Sequence, residues 1–240
     1  MNHKHFTPED FKTGQILLFD KPLHWTSFQL ANKVRWLIRK SCGIKKIKVG
    51  HAGTLDPLAT GLLIICTGKF TKRIPELQGQ EKEYTGTFTL GSTTPSYDLE
   101  TEIDQNYPID HVSEADVQRA TQKFMGEIEQ IPPVFSALKK DGKRLYEYAR
   151  KGEEVKVQPR KVKIDNFEVN AKNFPLVDFR VVCSKGTYIR SLAHDFGLQL
   201  NSGAHLSALR RTRIGEYSLE KSFDLESFQK LLPSQENNSA

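Results

Sequence analysis

The chain has 240 residues, 38% hydrophobic and 10% aromatic, which is enough for a full core and excludes a disordered protein. Its net charge of +6 points to a polyanionic partner. The longest apolar run, from Leu62 to Cys66, is far short of the roughly 20 residues a membrane helix needs. Met1-Asn2-His3-Lys4-His5 leads into polar sequence with no signal-peptide core. Three widely spaced cysteines, Cys42, Cys66 and Cys183, form neither a disulfide framework nor paired zinc ligands. A cytoplasmic protein is expected.

In chain order, Gln15 to Asp20 reads as a buried strand ended by Lys21-Pro22. Thr26 with Gln29 forms a capping box for a helix through Lys40, with Leu30, Val34, Leu37 and Ile38 on one face. Lys46 to Val49 is expected as a short strand. Leu62 to Thr67 reads as a strand buried on both faces. Alternation predicts strands over Tyr84–Leu90, Lys161–Asn170 and Leu176–Cys183. Ser113 caps a helix that turns Val117, Ala120 and Phe124 inward. A further helix starts near Thr187, which is placed to cap it, and ends about Gly197. A last helix covers Leu225 to Leu232, with a mobile polar tail from Pro233. These elements make an α+β fold rather than repeated βαβ units. Ile131-Pro132-Pro133 through Glu154, rich in Lys, Arg and Tyr and containing Asp141-Gly142, reads as an insertion.

Charge is distributed unevenly. From Lys21 to Leu55 there are eight Lys or Arg and no acid, whereas from Tyr97 to Glu129 there are nine acids against two cations. From Phe135 to Lys161 nine cations face four acids, and Arg210-Arg211-Arg213 adds a late basic patch. A phosphate-binding face with an acidic back follows from this pattern.

At the end of the first basic stretch, and running past it, lies Gly50-His51-Ala52-Gly53-Thr54-Leu55-Asp56-Pro57-Leu58-Ala59-Thr60-Gly61. Glycine permits tight or left-handed backbone, and Pro57 pushes Asp56 out of the α region. One carboxylate is thereby presented from a rigid loop in a positive neighbourhood. No helical His-Glu-x-x-His, paired-Cys, nucleophile-elbow, P-loop or dinucleotide motif occurs, so no metal or cofactor is expected. The residues left to carry chemistry are Asp56, the tyrosines Tyr84, Tyr146 and Tyr188, and arginines, chiefly Arg190. Tyr and Arg are the side chains that stack on and clamp extruded bases.

The loop closely resembles the catalytic motif of TruB-type tRNA pseudouridine synthases. Further segments resemble that family in order: Asp20-Lys21-Pro22 with Trp25-Thr26-Ser27, Lys82-Glu83-Tyr84, Ile131 through Lys139, Gly142-Lys143-Arg144-Leu145-Tyr146, and Cys183 through Leu192. The likeness runs from about Gly14 to Arg213. It implies a mixed or antiparallel central sheet with flanking helices over residues 14–225. It also implies a thumb-like RNA-binding insertion at 131–157, with 226–240 as a short helix and tail. The implied reaction breaks the N-glycosidic bond of a T-loop uridine in tRNA (position 55 by convention), turns the flipped uracil and rejoins it through C5.

By the same resemblance Asp56 is the essential carboxylate, either attacking C1′ or supporting charge there; both roles stay open. Tyr84 stacks on the flipped base, Arg190 pairs with the carboxylate, and Tyr188 and the apolar Leu209 line the pocket. His51 sits where the extruded nucleotide left its stack, and Lys21 touches phosphate or braces the loop. Family members often carry a C-terminal PUA-type module. Only about 25 residues follow Arg213, too few for one, which favours a stand-alone bacterial-type enzyme without guide RNA or membrane, and a monomer.

Overall fold

A computed structural model describes residues 5–233, apart from 137, 141 and 154. The expected tail beyond Pro233 and Asp141 of the Asp-Gly turn lie outside the described residues. The fold is α+β, with mostly antiparallel strands flanked by helices, and it divides into two units: 1–82 with 210–240, and 83–209.

The first unit opens with α1 (Pro8–Thr13), β1 (Ile16–Lys21) and α2 (Ser27–Cys42), then β2 (Val49–His51), β3 (Ala59–Thr67) and α3 (Ile74–Gly79). Thr26 and Gln29 close the anticipated capping box on α2, and Gly43 ends it in the left-handed conformation at φ 64°. The strand expected at Lys46–Val49 begins only at Val49. There it pairs with β3 in the register Val49↔Thr67 and His51↔Ile65, leaving the preceding lysines in a loop. β3 is buried on both faces because alternate residues go to opposite cores. Leu63 and Ile65 pack with Leu30, Val34 and Ile38 of α2, while Leu62, Ile64 and Cys66 pack with Ala52 and Leu77. Each buried Leu or Ile contributes roughly 1.5–3 kcal/mol, so β3 is the unit's main anchor.

The second unit contains β4 (Lys82–Leu90), β5 (Ser92–Thr93), β6 (Gln105–Asn106), α4 (Glu114–Ala120) and β7 (Gly126–Gln130). It continues with β8 (Lys139–Lys140), β9 (Lys143–Arg144), α5 (Leu145–Ala149), β10 (Arg160–Asn173), β11 (Leu176–Cys183), α6 (Ile189–Gln199) and β12 (Ala204–Ile214), whose last residues enter the first unit. Its core is aromatic. Phe88 of β4 stacks on Phe179 of β11 at 4.2 Å, and Phe196 of α6 packs against Phe88 and Phe167 at 5.6 and 5.7 Å. Phe196 therefore holds α6 on the strands. The strand order here is β12–β4–β11–β10–β7.

Past β12 the chain completes the first unit with β13 (Tyr217–Ser218), paired to β12, and α7 (Leu225–Lys230), whose buried Phe228 meets Phe19 at 5.1 Å. The order in this unit is β1–β3–β12, with β2 also on β3.

Besides the two-residue strands β5, β6, β8, β9 and β13, two longer strands escape the sequence reading. β7 is hidden among acids, and β12 among the arginines that read as a surface patch. That patch is corrected by the structure. Arg210 pairs with Asp20 at 2.6 Å, Arg213 pairs with Glu81 at 2.8 Å, and Arg211 is only 1% exposed. The helix expected to be capped by Thr187 instead takes Tyr188 as N-cap, and the Thr187 hydroxyl donates to the Ser184 carbonyl.

Candidate active site

The Asp56 loop is fixed along its whole length. The Ala52 amide donates to the Ile64 carbonyl at 2.9 Å, extending the β2–β3 pairing into the loop. Ser27, the first residue of α2, accepts from the Leu55 amide at 2.8 Å and donates to the Leu55 carbonyl at 3.1 Å. Asp56, Pro57, Leu58 and Ala59 form a β-turn closed by the Ala59 amide on the Asp56 carbonyl at 3.0 Å, with proline at the position that presets φ. The Pro57 carbonyl accepts from the His24 amide at 2.8 Å. Gly53, at φ +94°, supplies backbone that a side chain would strain.

Two buried cations support the loop. Lys21 is fully buried, and its ammonium donates to the carbonyls of Trp25 at 2.6 Å, Pro22 at 2.9 Å and Pro57 at 3.4 Å. Burial pulls its pKa down to about 8, opposed by the Asp56 charge. The ammonium is thus engaged by backbone carbonyls of the β1–α2 connection and, through Pro57, of the Asp56 loop. Arg211 donates from Nε to the Leu62 carbonyl at 2.8 Å and from a terminal nitrogen to the Gly53 carbonyl at 3.1 Å. β12 passes so close that a Cβ on Gly61 would lie 2.3 Å from the Arg211 carbonyl. Composition marks Arg211 as a surface cation; only its strand register places it under the loop.

Arg211→Met is expected to cost about 3 kcal/mol in urea unfolding, because two buried carbonyls lose their donor. A change below about 0.5 kcal/mol would show that they find other partners.

His51 lies at the end of β2. Burial first, and then the Arg211 charge, lower its pKa, which favours the neutral imidazole. Lys21, His51, Asp56 and Arg211 thus form one group in the first unit.

The second unit carries the other expected residues. Tyr84 is buried in β4, and Leu209 is half-buried in β12. Arg190 stands in the first turn of α6 and is 4% exposed. A cation at a helix N-terminus opposes the helix dipole, and a buried one needs a counter-charge. Asp98, 5% exposed, provides it, with its carboxylate 3.6 Å from Arg190 Nε, while the Ser96 carbonyl accepts from Arg190 at 3.3 Å. By sequence Asp98 belongs to the acidic back; the Thr94-Pro95-Ser96-Tyr97 turn before it carries the signal that it is held inward. The Thr94 hydroxyl donates to the Asp98 carbonyl at 2.6 Å, and the Asp98 carboxylate accepts from the Glu100 amide at 3.0 Å.

Tyr188 is clamped through its backbone by the buried Gln130 amide, which accepts from the Tyr188 N–H at 2.7 Å and donates to its carbonyl at 3.0 Å. The Arg160 guanidinium lies 4.3 Å over the Tyr188 ring. Ser191 ties the same turn to the Ile131 carbonyl at 2.7 Å. Among the described residues no cluster of His, Cys, Asp and Glu could hold a metal ion, and no helix is long and apolar enough to cross a membrane.

Comparison with known proteins identifies the family. Residues 39–189 match the family model described as "TruB family pseudouridylate synthase (N terminal domain)", and residues 190–240 match "tRNA pseudouridylate synthase B C-terminal domain". A relative from Flavobacterium johnsoniae named tRNA pseudouridine synthase B is 60% identical over 227 residues, covering 94% of this chain and 99% of that protein. One of the same name from Chloroherpeton thalassium is 46% identical, covering 87% of this chain and 86% of that protein. Among solved structures, a chain of a Cbf5-Nop10-Gar1 complex superposes with a TM-score of 0.66 at 31% identity, covering 96% of this chain and 59% of that one.

These matches define an enzyme of the pseudouridine-forming isomerase class. The chain belongs to the TruB family of pseudouridylate synthases.

Proposed function

We propose that the enzyme converts the T-loop uridine of tRNA at conventional position 55 to pseudouridine, acting on a flipped nucleotide through Asp56. The observation that carries this reading is the Asp56 loop itself, a carboxylate presented from a turn pinned by Ser27, His24, Lys21 and Arg211. The reaction breaks the bond from N1 to C1′ and forms one from C5 to C1′. C5 loses its proton and N1 gains one, so mass is unchanged and no cofactor enters the balance. Cleavage leaves C1′ electron-poor and oxocarbenium-like. A carboxylate that need not reorganise stabilises that charge whether it bonds to C1′ or stays beside it.

The other residues take supporting roles in this reading. Tyr84 stacks on the flipped uracil, with Tyr188 and Leu209 as pocket walls, and Arg190 holds Asp56 ionised and oriented. His51, whose burial favours the neutral imidazole, fills the gap left by the extruded nucleotide. Lys21 keeps the Asp56–Pro57 turn in place. Residues 131–157 act as an RNA-gripping thumb: the β8–β9 hairpin pairs Lys140 with Lys143, and Arg144 and Arg150 sit over the Tyr146 ring at 5.8 and 5.4 Å. The enzyme works as a monomer without guide RNA.

Unmodified tRNA transcripts incubated with the protein are expected to gain one pseudouridine at the T-loop position with no change in RNA mass. A transcript with cytidine there should gain none. Pseudouridine elsewhere, or a mass shift indicating methylation or deamination, would sink this assignment.

A further inference from the structure

The outer face of α2 plays no part in the site described above. Its inner face, with Leu30, Ala31, Val34, Leu37, Ile38 and Cys42, is buried in the first unit's core. The opposite arc carries Phe28, Lys33, Trp36, Arg39 and Lys40, all exposed, with Arg35 at its margin. Phe28 is 67% and Trp36 49% exposed, large values for aromatic rings, and neither helix end depends on them because Gln29 and Gly43 make the caps. The Lys33 and Lys40 ammonium groups lie 4.6 and 5.0 Å from the Trp36 ring centroid. No acid occurs anywhere from Lys21 to Leu55.

We infer that this face of α2 is an RNA-docking surface, taking the phosphate backbone of the substrate tRNA beside the loop that is modified. Cations interleaved with exposed aromatic rings are the chemistry that grips nucleic acid: ammonium and guanidinium groups meet phosphates, and rings pack on bases or sugars. A cationic face with no acid along the helix is electrostatically complementary to a polyanion. The helix also begins on the candidate active site, because Ser27 holds Leu55 of the Asp56 loop by two hydrogen bonds. At about 1.5 Å per residue, the cations from Lys33 to Lys40 lie roughly 9–20 Å along the axis from that anchor. This is beyond the reacting nucleotide and within reach of the flanking duplex.

The inference rests on the reading of the chain as a tRNA-modifying enzyme, and its test separates the two. Binding of unmodified tRNA would be measured across a salt series for wild type, Lys33→Gln with Arg39→Gln, and Trp36→Ala. A control, Lys221→Gln with Lys230→Gln, removes the same charge from exposed positions elsewhere in the first unit. The α2 pair should lower the slope of log K against log salt by roughly 2, near 0.9 for each phosphate no longer neutralised, and weaken binding about tenfold or more. Trp36→Ala should weaken it about fivefold. The control should leave the slope near wild type.

Unchanged binding in the α2 variants overturns the inference. So does an equal loss in the control, which would make net charge rather than this face the cause. Self-association that disappears in Trp36→Ala while RNA binding is unaltered would assign the face to a second copy of the chain, and also overturns it. Pseudouridine formation by the wild type is scored separately. T-loop product with unaltered slopes keeps the functional reading and rejects the docking face; altered slopes in an enzyme that makes no T-loop product do the reverse.

Discussion

Asp56→Asn should bind tRNA as the wild type does and form pseudouridine more than about 1,000-fold more slowly, a loss of roughly 4 kcal/mol of transition-state stabilisation. The substitution is nearly isosteric. The backbone of residues 52–59 and the side chains of Ser27, Lys21 and Arg211, which hold the turn, are untouched by the substitution. In the proposed reaction, what disappears is the negative charge that supports C1′. Single-turnover assays at saturating enzyme, beside filter binding of the same tRNA, distinguish the two effects. Product at the wild-type rate would remove Asp56 from the chemistry and make the protein an RNA-binding module first.

Arg190→Lys tests the second unit's contribution. The guanidinium meets the Asp98 carboxylate at 3.6 Å and the Ser96 carbonyl at 3.3 Å, and a planar fork reaches such divergent partners where a point charge cannot. With charge retained but geometry lost, the single-turnover rate is expected to fall about 100-fold, close to 2.7 kcal/mol. Binding of tRNA should change by less than about twofold, because a buried arginine contributes nothing to outer phosphate contacts. A rate within about threefold of wild type would show that a single cation suffices and that the fork has no role in the reaction. Weakened binding with an unchanged rate would instead move Arg190 to the docking surface.

Much of the candidate site is legible in the chain because its causes are local. The Asp56–Ala59 turn follows from Asp-Pro chemistry, the start of α2 from Thr26 and Gln29, and the burial of β3 from an apolar run with no polar face. The misreadings all involve partners distant in sequence. Charge ordinarily signals exposure, and this conceals β12, whose Arg211 is buried by hydrogen bonds to backbone 149 and 158 residues distant in sequence. Asp98 falls in an acidic segment that reads as surface, yet its partner Arg190 lies on a helix that Phe196 anchors to the strands. Tyr188 is held at the N-cap of α6 by Gln130, 58 residues earlier, so no local rule about Thr187 could find it.

The sequence by itself determined the lone acid, the loop that presents it and the basic stretch around it, since turn, cap and charge are properties of neighbours along the chain. Only the tertiary structure decided which cations face outward and which are spent inside. Lys21 and Arg211 became the buried support of the loop, while Lys33 and Arg39 stayed on the exposed face of α2. A charged side chain enters a core only where long-range strand pairing brings it carbonyls or a carboxylate to offset its desolvation, and that pairing is not written in any local stretch of residues.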